Sequence, residues 1–292
     1  MRVRINTAIR QPTYIVPVKW ALEYVAERYS CIVEETKAIP AGSIFIDDKP
    51  VALLAYGDAP GLRPEDEAVL ASGYFPLIFK WQYDNQENYI RKDGAKVIPA
   101  GYLMSSHCVS PDDYLPKDED EFVYKDRIYD ISARFSFTHP WCKGRDWALA
   151  REKLQVNAVA MSNRGLHVLA NKVSKAEYLT DLSNCKLALN WRGFGMLNFK
   201  VAEYIWAGAV MLTMPYGSRY PLVNNVTLED GVNCVFINSP EEAEQKIMVL
   251  ISDSKRIEEY RCNICRLWND NFSLPVLGDF YFRHILEVLH GQ

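Results

Sequence analysis

Asn190-Trp-Arg-Gly-Phe-Gly-Met-Leu-Asn-Phe-Lys-Val-Ala-Glu-Tyr-Ile-Trp-Ala-Gly-Ala-Val-Met-Leu-Thr-Met-Pro215 reads in order as a strand end, a glycine loop, a charged helix start and a second strand. A loop built on Gly193 and Gly195 leaves backbone N–H groups free at a helix N-terminus. The helix dipole favours negative charge there, so an anion such as a diphosphate is well received. Lys200 and Glu203 stand three apart, on one helix face at the mouth of that loop. A cation and a carboxylate so placed suit the diphosphate and the ribose hydroxyls of one nucleotide. Read purely as structure, the glycines turn the chain and the two charges face solvent.

On either side of this stretch the pattern is regular. Strand Asp130–Phe137, helix Arg145–Leu154, strand Asn157–Met161, helix Ser174–Leu182, strand Lys186–Asn190, helix Phe199–Ala207, strand Ala209–Met214 and strand Cys234–Asn238 are expected. Such alternation predicts a doubly wound parallel sheet with helices on both faces. Ser239-Pro-Glu-Glu242 marks the next helix start, with an N-cap serine, a proline in the first turn and a capping-box glutamate. Helical spacing continues through Lys255–Trp268, and after Pro275 a last amphipathic helix spans about Phe280 to Leu289.

Towards the N-terminus, residues 2–8, 16–29 and Cys31-Ile-Val read as a βαβ unit. Short strands follow at Ser43–Ile46, Val51–Tyr56, Tyr74–Lys80 and near Val97, between Pro, Gly and Asp turns. The first βα loop, Ala8–Tyr14, contains no glycine and is a poor phosphate cradle. The Pro-rich, acidic passage Ser110–Glu121 is the expected linker. It separates an α/β domain over 1–118 from a nucleotide-binding, Rossmann-like domain over 119–292, and leaves open a last helix packed back on the N-terminal domain.

Hydrophobic residues make up 49% and charged residues 24%, so the chain has the composition of a globular protein with a well-buried core. Its 33 basic and 37 acidic residues, net charge −4, exclude a global basic field for nonspecific nucleic-acid binding. No signal peptide is legible at the start, and no apolar run approaches roughly 18 residues. A cytoplasmic location without stable membrane insertion is expected. The seven scattered cysteines are expected to be reduced thiols, and the lone Cys262-Asn-Ile-Cys265 falls short of a zinc site.

Ligands of doubly wound sheets collect outside the carboxyl ends of the strands. That rule selects Thr138–Arg145, the glycine loop and Pro215–Tyr220, three loops expected at one crevice. Arg145, with Lys143 before it, suits phosphate oxygens, and Arg192 and Asn198 flank the glycine loop. His139 is a candidate general base by its ordinary pKa near neutrality. Among the turn carboxylates of the first half, Asp48 is carried as a candidate for activating an acceptor hydroxyl.

Taken together, Arg192-Gly-Phe-Gly195, Asn198-Phe-Lys-Val-Ala-Glu203, Ala207-Gly-Ala-Val-Met-Leu212, Gly231-Val-Asn-Cys-Val-Phe-Ile237, the Ser239 helix and the upstream Arg134-Phe-Ser-Phe … Arg145 segment resemble one known family. It is the nucleotide-sugar-binding domain of glycosyltransferases with the GT-B fold, of the group 1 and exostosin-like kind, and the likeness covers about residues 125–290. The resemblance implies two Rossmann-like domains facing a cleft. It implies metal-independent transfer of a hexosyl or pentosyl group from a nucleotide sugar such as a UDP-sugar to an acceptor hydroxyl, with no other cofactor. It also implies that Glu203 faces the donor ribose, that Lys200 faces the diphosphate, and that Arg145 assists at the phosphates. Many retaining members carry a second carboxylate eight positions before the helix glutamate, where this chain has Gly195, so the stereochemistry stays open. The acceptor stays open too: a glycan, a lipid-linked or small-molecule acceptor, or a modified DNA base as in phage-type DNA-base glycosyltransferases. A sugar-nucleotide epimerase and a noncatalytic nucleotide-sugar-binding protein are the rival readings.

Overall fold

The computed structural model describes residues 1–8, 14–55, 75–84, 95–107, 109–135, 142–193, 196–216 and 219–291. In chain order it forms β1 (Arg2–Ile5), α1 (Val16–Val25), β2 (Ile32–Glu35), β3 (Ser43–Ile46), β4 (Lys49–Ala55), β5 (Leu77–Lys80) and β6 (Lys96–Pro99). Then come α2 (Glu119–Tyr124), β7 (Tyr129–Ser132), α3 (Asp146–Ala160), β8 (Val168–Leu169), α4 (Lys175–Leu182), β9 (Cys185–Leu189), α5 (Lys200–Ala207), β10 (Val210–Thr213) and β11 (Cys234–Phe236). Three helices close the chain: α6 (Pro240–Ile251), α7 (Ser254–Asn271) and α8 (Leu274–His290). Two compact units result. The first comprises Met1–Pro116, Ser218–Thr227 and Asn269–Gln292, and the second Lys117–Gly217 and Leu228–Trp268.

The first unit carries a six-stranded sheet in the order β2-β1-β3-β4-β5-β6. All its neighbours pair in parallel except β3, which runs antiparallel to both β1 and β4. The mixed direction has a local cause. Asp47 and Asp48 adopt φ of 44° and 71°, and two successive positive-φ residues make the tight hairpin turn whose twist suits β3–β4. One sheet face holds Ile39, Phe45, Leu53, Phe75 and Ile78 in a single apolar cluster. Helix α8 lies against α1, where Gly278 comes so close that an added Cβ would stand 2.4 Å from the Ala21 carbonyl oxygen. Ser273 is the N-cap of α8, so Pro275 sits in the first turn rather than ahead of the helix, and the helix begins earlier than its amphipathic pattern suggests.

The second unit carries a wholly parallel five-stranded sheet in the order β11-β10-β9-β7-β8. From β7 the chain steps outward to β8, then recrosses β7 to reach β9 and continues to β10 and β11. Right-handed crossovers therefore set α3 on one face and α4 and α5 on the other. In agreement, α3 packs with α6 and α4 with α5, the doubly wound arrangement expected for this half. Leu187, Ala188, Leu189, Val210 and Leu212 are fully buried, as strands covered on both faces require.

One expected element is corrected. Asn157–Met161 is no strand: α3 runs on to Ala160, and the strand of this position is Val168–Leu169. Leu154, Ala158 and Met161 are buried at helical spacing while Val156 and Val159 are exposed, so this short, mostly apolar run continues the helix.

Candidate functional site

The strand order of the second unit reverses between β7 and β9, and such a switch point is where doubly wound sheets open a crevice at their carboxyl ends. A cavity of about 390 Å³ lies beside it, within this one unit. Arg134 and Phe135 reach it from the end of β7, Lys172 from the segment after β8, Lys175 and Tyr178 from α4, and Lys200 from α5. Its volume falls within the ordinary range for small-ligand sites. Four of those six side chains are cations.

Their compensation is uneven. Arg134 pairs with Asp181 at 2.8 Å, and Lys175 pairs with Glu203. Among the described residues the Lys200 ammonium donates to the Arg134 carbonyl oxygen alone, and it stands 5.2 Å from the centre of the Phe135 ring and 5.8 Å from that of Tyr178. Burial lowers its pKa to about 7, and Arg151, Lys175 and Arg134 push the same way against the attraction of Glu203. Glu203 is wholly buried, and burial raises its pKa even though Lys175 and Lys200 oppose the change. The Tyr178 hydroxyl beside it is pushed up as well, first by burial and then by its neighbours Tyr204 and Glu203.

Side chains join the described residues that flank the start of α5. Asn190, fully buried, donates to the Thr213 and Tyr216 hydroxyl oxygens at 3.2 Å each and accepts from Asn198 Nδ2 at 3.1 Å. Asn198 Oδ1 in turn accepts from the Lys200 amide at 3.1 Å. The chain thus caps this helix amide itself, and among the described residues Arg134, Lys172, Lys175 and Lys200 bring positive charge to the cavity. Arg151, which the sequence reading did not select, donates to the Trp191 carbonyl oxygen at 3.0 Å and lies 5.1 Å from the centre of the Trp147 ring. Its guanidinium presses on Gly193, where an added Cβ would stand 3.1 Å from Nη2.

Of the residues selected from the sequence, Lys200, Glu203, Asn198 and Gly193 are brought together around the start of α5. Arg192 is half-buried with Nη1 3.5 Å from Met196 Sδ, and Arg145 is the exposed N-cap of α3. Asp48 sits in the β3–β4 hairpin, its side chain 85% exposed and facing Arg4. Because Ile46 is level with Val3, that hairpin lies at the end of the sheet where β1 begins, opposite the carboxyl edge. His139 and Gly195 lie outside the described residues. Lys172, Lys175, Arg134 and Arg151 are the cations not selected as site residues from the sequence. Only Lys175 had a local signal, since Ser174 caps α4 and places Lys175 at its first position, beside the carboxyl end of β8.

Among the described residues no group of three or more His, Cys, Asp or Glu side chains could hold a metal ion, and no helix is long and apolar enough to cross a membrane. The six described cysteines are free. No protein-family model matches the chain, and neither does any curated protein. Solved structures similar to it include HepE from Anabaena in complex with UDP-glucose, at 14% identity over 82% of this chain and 72% of that one, with a TM-score of 0.47. A glycosyltransferase from Rickettsia africae is similar over 95% of this chain and 83% of its own at 10% identity and a TM-score of 0.49. TarM is similar over 91% and 57% at 10% identity and a TM-score of 0.48.

Proposed function

We propose that the protein is a glycosyltransferase whose second unit holds a nucleotide-sugar donor in the cavity beside the β7/β9 switch point. The observation that supports this reading is the gathering of Arg134, Lys172, Lys175 and Lys200 on one cavity at the carboxyl edge of a doubly wound sheet. Lys200, half-buried and without a carboxylate of its own among the described residues, is costly in the empty protein, and a diphosphate would supply negative charge. Lys200 meets the diphosphate. The charge that grows on the departing nucleotide during transfer is stabilised by the same cations, and catalysis comes chiefly from positioning and electrostatics. The first unit takes the acceptor.

The test is the release of free nucleotide from a panel of UDP-, GDP- and CMP-sugars, with thermal shifts measured for each nucleotide. Wild-type protein is expected to be stabilised by one nucleoside diphosphate and to release it from the matching sugar, with Lys200→Ala losing both effects. Stabilisation without turnover across a panel of acceptors would favour a noncatalytic binder. Conversion of the sugar without acceptor would mark an epimerase, and absence of any nucleotide effect would refute the assignment.

A further inference from the structure

The cavity meets Lys175, not Glu203. Glu203 is wholly buried and is not among the described residues that line the space, whereas the Lys175 side chain is 32% exposed and lines it directly. The ammonium of Lys175 is fixed from several sides. Glu203 Oε1 holds it from behind, and its Nζ stands 4.8 Å from the centre of the Tyr178 ring and 5.1 Å from that of Phe199. A ligand in the cavity therefore reaches Lys175 first, and would have to displace it to touch the carboxylate.

We infer that Lys175 is a ligand-contacting residue that binds an anionic phosphate oxygen, and that Glu203 is a positioning residue acting through Lys175 as its buried counter-ion. This rests on the reading that the cavity takes a nucleoside diphosphate. It assigns the glutamate of α5 a different part from direct contact with the donor ribose. The physical reason is solvation. A wholly buried carboxylate paired with an ammonium cannot exchange water for a sugar hydroxyl, while an ammonium at the cavity wall can exchange water for phosphate. Holding Lys175 in place beforehand also spares the entropy of ordering a long side chain upon binding.

A double-mutant cycle separates the two roles. UDP and GDP are titrated calorimetrically into wild-type protein, Lys175→Met, Glu203→Gln, the double variant and Lys175→Arg. Loss of one charge-assisted hydrogen bond predicts roughly tenfold weaker binding for Lys175→Met. Glu203→Gln is expected to weaken binding by roughly threefold, and Lys175→Arg to stay within about threefold of wild type, because each keeps a cation at the wall. The double variant is expected to bind within about twofold of Lys175→Met, since Glu203 has no effect once Lys175 is gone. It removes both charges together, so it stays folded and testable even where Lys175→Met alone strands a buried carboxylate. A double variant weaker than Lys175→Met by the full Glu203→Gln factor would mean that Glu203 contacts the ligand itself. A Lys175→Met variant that binds like wild type would overturn the inference with the nucleotide reading intact. Wild-type protein that binds neither nucleotide would overturn that reading and this inference with it.

Discussion

Replacing Lys200 by Met should make the empty protein more stable and the liganded protein weaker. A lysine ordinarily keeps its proton up to about pH 10.5, whereas burial among Arg151, Lys175 and Arg134 lets this one lose it near pH 7. At about 1.36 kcal/mol for each pH unit of that gap, housing the ammonium costs at most about 5 kcal/mol. Part of the side chain borders the cavity, where water screens the charge, so the realised cost is on the order of 2 kcal/mol. The sign follows from proton counting. Between pH 7 and 10.5 the unfolded chain holds a proton that the folded chain has released, so stability rises with pH across that window. Below pH 7 both states are protonated and the cost is present in full. Methionine has similar length and no charge, so Lys200→Met removes the cost while keeping the contacts with Phe135 and Tyr178. Thermal melting from pH 6 to pH 10 is the assay. At pH 6.5 the variant should melt several degrees above wild type, at roughly 2–4 °C per kcal/mol, and the gap should close as pH approaches 10. The same variant should bind nucleoside diphosphate at least tenfold more weakly at pH 6.5, having lost a charge-assisted hydrogen bond of about 1.5 kcal/mol or more. A variant that melts at or below wild type at pH 6.5, with a difference constant up to pH 10, would refute the reasoning.

Three further substitutions test the scaffold. Gly278→Ala would drive a methyl group into the Ala21 carbonyl and the Val25 side chain, where the nearest atoms stand at 2.4 and 2.7 Å, and should cost about 3 kcal/mol in a urea titration of the first unit. Arg219→Ala would strip the buried Asp84 carboxylate of a guanidinium that holds both its oxygens at 2.7–3.0 Å. Because Arg219 itself is 44% exposed, the expected loss is about 2 kcal/mol, less than for a fully buried pair, and Asp84→Asn in the same background should recover part of it. Ser239→Ala removes the side-chain acceptor for the Glu242 amide and should lower stability by about 1 kcal/mol, with Ser239→Asp close to wild type.

The elements most legible in the sequence are those whose signals are local. Ser239 accepting from the Glu242 amide and Ser174 accepting from the Glu177 amide are capping events spelled out within four residues. The central strands around Leu187 and Val210 announce themselves as short apolar runs between turn residues. Asn157–Met161 is ambiguous in the sequence because five residues are too few to tell a short apolar strand from the end of a helix, and burial at Leu154, Ala158 and Met161 decides the matter. The antiparallel β3 was hidden for a similar reason: Asp47-Asp48 reads as a generic turn until its two positive φ angles show a tight hairpin.

The site was half legible, and the missing half explains the arrangement. Lys200 and Glu203 can be found together because three residues apart on a helix is a local relation. Their partners cannot, since Glu203 is held by Lys175 from α4 and Lys200 by the Arg134 carbonyl after β7. Those segments are brought beside α5 only by the recrossing of β7 between β8 and β9. The pair therefore does not act as one two-pronged clasp: the carboxylate faces inward to fix a second cation, and among the described residues the lysine has no carboxylate of its own. An anionic ligand is the group that would balance this excess, and the strand order places the excess where doubly wound sheets receive their ligands.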